Sequence, residues 1–285
     1  FISFVSGPPA MEAAKAGSLD VVSAAAQPIL QLVAQSKDWV IVSRNANVRV
    51  AVLVPNESTA QSIKDLQGKK IGLPVGTIAE NFVLSEFSRA GYEVTPQTII
   101  NVDIESLRSP GGINWGELQA VSAWEPTVAL LEATRGARTI ADTNDLTLTA
   151  MSRSFIEKHP REAVGYMRAT RQAWAYYASH RAQMNEEYKR ATQMQIESAV
   201  LEAAAKSEPN ASVKSELEVD IGITIEIDCR YCQKCSGSGL SQMACGQHSL
   251  RRRSQAAPAS RLLYSMLPPG WVISYGLIVA SPTKI

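Results

Sequence analysis

Four cysteines near the carboxyl end of the chain have spacings that could ligate a metal. Two residues separate each of the first three cysteines, and a histidine follows the fourth with the same spacing. Thiolates and imidazole at such spacings suit zinc or an iron–sulfur cluster. A Ser-Gly-Ser-Gly stretch and three adjacent arginines accompany them, and no periodic pattern supports the ligands. We therefore expect no metal and no cofactor, with a metal centre as the alternative for Cys229, Cys232, Cys235, Cys245 and His248.

The segment that holds these cysteines differs in composition from the rest of the chain. Residues 1–220 contain no cysteine and carry 21 Lys and Arg against 25 Asp and Glu, whereas residues 221–285 carry 7 against 2. We interpret residues 221–285 as an irregular tail of unrelated sequence, from a reading-frame change or read-through. The whole chain has a net charge of +1, which excludes a globally basic nucleic-acid binder. We expect no nucleic-acid partner.

The length and the apolar content indicate a folded protein of about two domains. The chain has 285 residues, 45% of them hydrophobic and 19% charged. It opens on an apolar run at residues 1–5 without an initiator Met or a signal peptide, so we expect that processing or truncation removed the true start. Residues 262–280 are apolar, but Pro268-Pro269-Gly270 divides them, and crossing a bilayer takes roughly 20 residues.

Strands and helices alternate along the first 150 residues. Apolar, β-branched runs at residues 1–5, 19–22, 39–43 and 48–54 predict strands, and Gly- and Pro-marked helices lie between several of them. After residue 154 the composition favours helix. Alternation of this kind predicts an α/β fold built on parallel sheets.

Two predicted helix starts could bind a small anion. Backbone N–H groups at a helix start point in one direction, and the helix dipole adds a favourable field. Gly76-Thr77-Ile78 begins one helix, where Thr77 and Glu80 have the spacing of a capping box, and Ala25-Ala26-Gln27 precedes a helix that we expect to begin at Pro28. The small side chains would let a ligand reach the backbone. The alternative is that both are ordinary helix starts.

Trp124 and Glu125 follow a predicted strand and precede Pro126. A tryptophan at the open end of a strand can form the wall of a cleft and stack on an organic ligand. Glu125 would repel a bare anion and suits a ligand that also carries an amine or another hydrogen-bond donor. The alternatives are a core tryptophan and a solvated or hinge-bonded carboxylate.

Several segments together resemble the substrate-binding proteins of ABC importers, in the branch that binds aliphatic sulfonates, taurine, nitrate and thiamin precursors. The resemblance covers roughly residues 4–205. It depends on five segments: GPPAMEAAKAGSLDV at 7–21, IKDLQGKKIG at 63–72, GTIAE at 76–80, GELQA with WEP at 116–126, and SRSFIEKHP at 152–160. The family usually has Asp where this chain has Gln119.

The resemblance implies a two-lobed α/β periplasmic-binding-protein fold of type II. Lobe I would comprise residues 1–53 and 145–220, and lobe II residues 54–144, with crossing strands near residues 52–55 and 142–147. Family members begin with a strand and a helix before the segment that starts at Phe1, and we expect this chain to lack both.

The function that the resemblance implies is transport. The chain would be an extracytoplasmic or periplasmic monomer that closes around a small organic anion, sulfonate-like, and delivers it to the membrane-embedded permease subunits of an ABC importer. The ligand would lie between the lobes, on Ala25, Ala26, Gln27, Gly76, Thr77, Ile78, Trp124 and Glu125.

An enzyme of the same fold, acting on a sulfur or pyrimidine compound, is the alternative. Residues 1–220 have no cysteine, and His159 and His180 lie in segments whose pattern is typical of a surface helix. Without a nucleophile or a base near pH 7 in the cleft, we expect no catalysis.

Overall fold

A computed structural model describes residues 2–95, 97–207, 271–274 and 277–280 of the chain. In this part the strands are β1 (Val21–Ala25), β2 (Trp39–Pro55), β3 (Ile71–Leu73), β4 (Ile99–Asn101), β5 (Ala120–Trp124), β6 (Ala137–Ser152), β7 (Trp271–Ser274) and β8 (Leu277–Ala280). The helices are α1 (Gly7–Lys15), α2 (Ala26–Gln35), α3 (Ile78–Arg89), α4 (Ile104–Arg108), α5 (Thr127–Thr134), α6 (Arg153–Lys158), α7 (Pro160–Ser179), α8 (Arg181–Thr192) and α9 (Ser198–Ser207), with a 3-10 helix at Ile63–Leu66.

Six of these strands form one mixed sheet in the order β1-β6-β2-β5-β3-β4. Strands β5, β3 and β4 are parallel, whereas β1 with β6, β6 with β2, and β2 with β5 are antiparallel. The α/β fold is therefore confirmed, and the parallel part that the pattern predicts is joined by antiparallel pairs that it does not predict. The antiparallel pairs arise because β2 and β6 run the length of the sheet in opposite directions.

Strands β2 and β6 are longer than the sequence pattern predicts. β2 joins the two predicted runs 39–43 and 48–54 into one strand of 17 residues, and it pairs with β6 from Trp39↔Ser152 to Pro55↔Ala137. The polar stretch between the two runs stays in the strand, with Asn45 at an irregularity of the ladder, because side chains of β6 bond it. Asn45 donates to Thr149 Oγ1 at 2.8 Å, and the Ala46 N–H donates to Thr147 Oγ1 at 3.0 Å.

The long strands connect two hydrophobic cores. Near one end of the sheet, α1 and α2 pack on β1 around Ile29 and Leu32. Near the other end, α3 and the 3-10 helix pack on β2 and β3 around Phe87 and Leu66. β6 pairs with β1 at residues 147–151, and β2 pairs with β5 from Val50, so the strands cross between the cores at about residues 46–50 and 143–147.

Helices α8 and α9 pack on α5. Tyr188 and Leu201, on α8 and α9, share a core with Ala129 and Leu130 of α5. Thus a segment that we expected in lobe I contacts an element of the expected lobe II. The boundaries of the two lobes otherwise stay a prediction.

Two further segments differ from the sequence pattern. Residues 2–5 form no strand, and Ile2 and Val5 are 64% and 52% exposed, so the prediction of a buried strand there is wrong. Apolar character alone suggested that strand, but this segment does not pair with β1. In the tail, β7 and β8 form an antiparallel pair.

None of the helices in the described part of the chain is long and apolar enough to cross a membrane.

Candidate ligand-binding cleft

A cavity of 470 Å³, the cleft, lies where the starts of three helices meet the long strands. Its lining includes residues from the starts of α1, α2 and α3, the end of β5 and the crossing parts of β2 and β6. Its volume lies within the usual range of small-molecule sites. The lining includes Gly7, Ala25, Thr77, Trp124, Val48 and Thr147.

The start of α2 reaches the cleft without a side-chain cap. The helix begins at Ala26, two residues earlier than the pattern predicts, and Ala25 is the N-cap with an extended backbone. An alanine has no oxygen that could accept from the first-turn N–H groups. Pro28 has no N–H, so the uncapped donors of this turn belong to Ala26 and Gln27. This end therefore has hydrogen-bonding capacity and a positive dipole end.

The start of α3 is capped by its own residues. Thr77 Oγ1 donates to the Pro74 carbonyl at 2.6 Å and accepts from the Ala79 N–H at 3.3 Å, and Glu80 accepts from the Gly76 N–H at 2.7 Å. Both predicted capping side chains thus bond amides of the helix start, each one residue away from the usual capping-box partners. Because the Thr77 hydroxyl is engaged, Thr77 offers a ligand mainly its backbone.

Helix α1 brings its start close to both of the other helices. A Cβ on Gly7 would lie 2.6 Å from Cγ of Pro28, and a Cβ on Gly76 would lie 3.1 Å from Cγ of Pro8. Gly76 also has a φ of +78°, which favours glycine. Glycine is therefore required at 7 and 76 for α1 to cover the starts of α2 and α3.

Trp124 forms part of the wall on the α3 side. It ends β5, is paired with Val50 of β2, and is partly exposed. The indole packs at the edge of two hydrophobic cores and also lines the cleft. This position suits an aromatic wall better than a fully buried core residue.

Glu125 is directed away from ligand contact, into an ion-pair network. Its side chain is fully buried, one carboxylate oxygen accepts from Arg49 at 3.2 Å, and the other accepts from the Ala129 N–H of α5 at 3.1 Å. Pro126, the N-cap of α5, has no side-chain acceptor, so Glu125 caps that helix from one residue earlier.

The wall formed by β1 and α7 contains polar side chains that sequence reasoning missed. Ser23 Oγ lies 2.6 Å from Thr149 Oγ1, and Tyr166 bonds Ser23. Burial raises the pKa of the Tyr166 phenol, so this side chain stays neutral. A regular helix pattern in α7 gives no signal that Tyr166 would reach the cleft.

The charged residue that lines the cleft is Asp20, which is exposed. No Lys, Arg or His belongs to the described lining of the cleft. An anion would therefore depend on backbone N–H groups and helix dipoles for its binding. The Asp20 carboxylate would repel the anion only weakly, because solvent screens its charge.

The predicted site residues divide into two groups. Ala25, Thr77, Ile78 and Trp124 line the cleft, while Ala26, Gln27, Gly76 and Glu125 lie next to those residues in the chain without lining it. The cysteines of the tail and His248 lie outside the described residues. Within the described residues, no group of three His, Cys, Asp or Glu side chains could hold a metal ion.

Comparisons with known proteins agree with this architecture. The sequence model of the family described as "NMT1/THI5 like" matches residues 10–184. Two curated relatives are named aliphatic sulfonates-binding protein, from Bacillus subtilis (strain 168) and Escherichia coli (strain K12). They are 26% and 27% identical over 187 and 194 residues, which is 63% and 64% of this chain. The chain spans 56% and 59% of their lengths.

Solved structures give the same fold. The periplasmic aliphatic sulphonate binding protein SsuA from Escherichia coli has a TM-score of 0.60 and 22% identity, covering 73% of this chain and 72% of that chain. The alkanesulfonate-binding protein SsuA from Xanthomonas axonopodis pv. citri bound to MOPS has a TM-score of 0.60 and 23% identity, covering 75% and 74%. The fold is that of periplasmic binding proteins, and the chain belongs to the NMT1/THI5-like family.

Proposed function

We propose that the protein is the solute-binding component of an ABC importer and that it binds a small organic anion, sulfonate-like, in the cleft. The uncapped start of α2 carries this proposal, because its first-turn amides and dipole could complement a sulfonate. The names of the curated relatives support the choice of sulfonate.

The rest of the cleft supports an organic rather than an inorganic anion. Trp124, Ile78 and Val48 offer apolar contact to a carbon skeleton, and Asp20 could accept from a hydroxyl or amino group at the far end of the ligand. The uncapped start of α2 would bind the sulfonate head. Sulfonates with such a donor therefore complement the lining better than nitrate.

We further propose that the protein does no chemistry on its ligand. The titratable side chains in the described lining are Asp20 and Tyr166, and the raised pKa of Tyr166 makes it a poor base near pH 7. Partners would be the permease subunits of the importer, the location periplasmic or extracytoplasmic, and the state monomeric.

A thermal-shift screen followed by calorimetry tests this function. The screen uses alkanesulfonates, aminosulfonates, nitrate, carboxylates and pyrimidines, with the uncharged alkanesulfonamide of the same chain length as the matched control. We expect saturable binding of a sulfonate, weaker binding of the sulfonamide, and recovery of the compound unchanged. Binding of none of the sulfonates would contradict the proposal, and conversion of a bound compound would favour the enzyme alternative.

A further inference from the structure

Arg49 lies at the point where β5 joins the crossing strands. It precedes Val50, the first residue of β2 that pairs with β5, and its carbonyl accepts the Glu125 N–H at 3.0 Å. Trp124 is therefore held on both sides: it pairs with Val50 in the ladder, and the next residue, Glu125, bonds the Arg49 carbonyl. The backbone of Arg49 is part of what sets the position of the Trp124 wall.

The guanidinium of Arg49 uses all five of its N–H donors. Nε donates to Asp142 at 2.7 Å, Nη1 to Glu125 at 3.2 Å and Glu132 at 3.3 Å, and Nη2 to Glu132 at 3.2 Å and Thr139 at 3.3 Å. Burial alone would lower the pKa of Arg49, but the hydrogen bonds that it donates to Glu132 and Asp142, together with the negative charges of Glu132 and Glu125, outweigh burial and raise the pKa. The side chain is 15% exposed and stays charged.

These five bonds join three elements around the tryptophan. Asp142 and Thr139 belong to β6, Glu132 belongs to α5, and Glu125 caps the start of α5. Arg49 itself belongs to β2. A single side chain thus connects the residue after Trp124 and the following helix to both crossing strands.

We propose that Arg49 is a positioning residue for ligand binding, which holds the Trp124 wall against the cleft by fixing Glu125 and α5 to the crossing strands. This inference rests on the proposed function for its effect on affinity. Arg49 does not line the cleft, and its donors are all engaged, so it acts through Trp124 and does not contact the ligand.

The substitution Arg49→Lys tests the proposal because it keeps the charge but offers three donors instead of five. Arg138→Lys is the matched control. Arg138 lies on β6, and its Nη2 donates to the carbonyls of Ser58 and Ala60 at 2.8 and 2.6 Å, which lie outside the Trp124 region. Both variants lose part of an arginine fork, but only the first loosens the support of Trp124.

Two readouts are measured on the full chain: the affinity for butanesulfonate and the hydrogen exchange of individual amides. For Arg49→Lys we expect an affinity about fivefold lower and exchange about fivefold faster at the Glu125 and Ala129 amides, the loss of about one net hydrogen bond. Exchange in the middle of α3 should stay unchanged. Arg138→Lys should leave the affinity within about twofold.

The outcomes separate this inference from the proposed function. Unchanged exchange at Glu125 and Ala129 in Arg49→Lys would overturn the positioning role, as would an affinity loss equal to that of Arg138→Lys. If the parent chain binds no butanesulfonate and none of the other sulfonates, the proposed function fails. The exchange data then still decide whether Arg49 holds the Trp124 segment.

Discussion

The starts of α2 and α3 face the same cleft but satisfy their amides differently. α3 begins with Thr77, whose hydroxyl bonds the helix start, and Glu80 bonds the preceding Gly76. The N-cap of α2 is Ala25, whose side chain has no acceptor. A helix start without a cap gives up about 1 kcal/mol of stability. The difference supports the proposal that α3 is a preformed wall, whereas α2 offers its first-turn amides to a ligand.

The first prediction sharpens the α3 side of this comparison. Trp124→Ala should weaken sulfonate binding by about 1–3 kcal/mol, the effect of losing an aromatic contact at a binding hot spot. Trp39 is the control, because it is 5% exposed in the core beside α2 and should cost about 3–5 kcal/mol of folding free energy when replaced by alanine. Calorimetric titration and thermal unfolding measure the two quantities.

A loss of folding free energy in Trp124→Ala as large as that in Trp39→Ala, with affinity unchanged, would show that Trp124 is a core residue. The cleft would then have no aromatic wall.

The second prediction concerns the pH dependence of folding stability. Asp145 on β6 is 4% exposed, accepts the Leu146 N–H at 2.7 Å and makes no ion pair within the described residues. Burial raises the pKa of its carboxyl. The folded state therefore disfavours the ionised form, and stability falls as the pH rises through the raised pKa.

Asp145→Asn removes this dependence. The variant should be more stable than the parent at pH 7, and the difference should vanish as the pH falls below the ordinary pKa of an aspartate, where Asp145 is neutral in both the folded and the unfolded chain. Urea unfolding of both chains from pH 3 to 8 measures it. An equal difference at all pH values would mean that ionisation of Asp145 costs nothing.

The third prediction removes the cap of α3. Thr77→Ala loses the bonds to Pro74 and Ala79 and should cost about 1 kcal/mol of stability. If the preformed start of α3 contributes to the cleft, sulfonate affinity should fall as well. Thr134→Ala on α5 is the control, since its hydroxyl bonds the Leu130 carbonyl within a helix outside the cleft lining. Thermal unfolding and titration of both variants compare them.

Local sequence patterns predicted the elements better than the contacts between them. The start of α3 was predictable because Thr77 and Glu80 act within one turn. Strand β2 was not predicted as one strand, because Asn45 is polar and stays in the sheet through Thr149, a residue 104 positions away.

The same limit applies to the site. Trp124 was recognised as a candidate wall from its place after a strand, and it lines the cleft. The partner of Glu125 was not predicted, because Arg49 lies 76 positions earlier on another strand. The uncapped amides of α2 belong to Ala26 and Gln27, two of the residues that the sequence suggested, although the helix begins at Ala26 and not at Pro28.

The most direct test adds a cap to α2. In Ala25→Asp, a carboxylate at the N-cap would accept from the first-turn amides and place a negative charge in the cleft, on a backbone with φ −57° and ψ 155° that an N-cap can adopt. Titration of the parent and the variant with butanesulfonate is compared with their unfolding temperatures. We expect the variant to be at least as stable as the parent and to bind butanesulfonate at least about tenfold more weakly. Equal affinities, with the variant stabilised, would contradict the claim that α2 binds the anion.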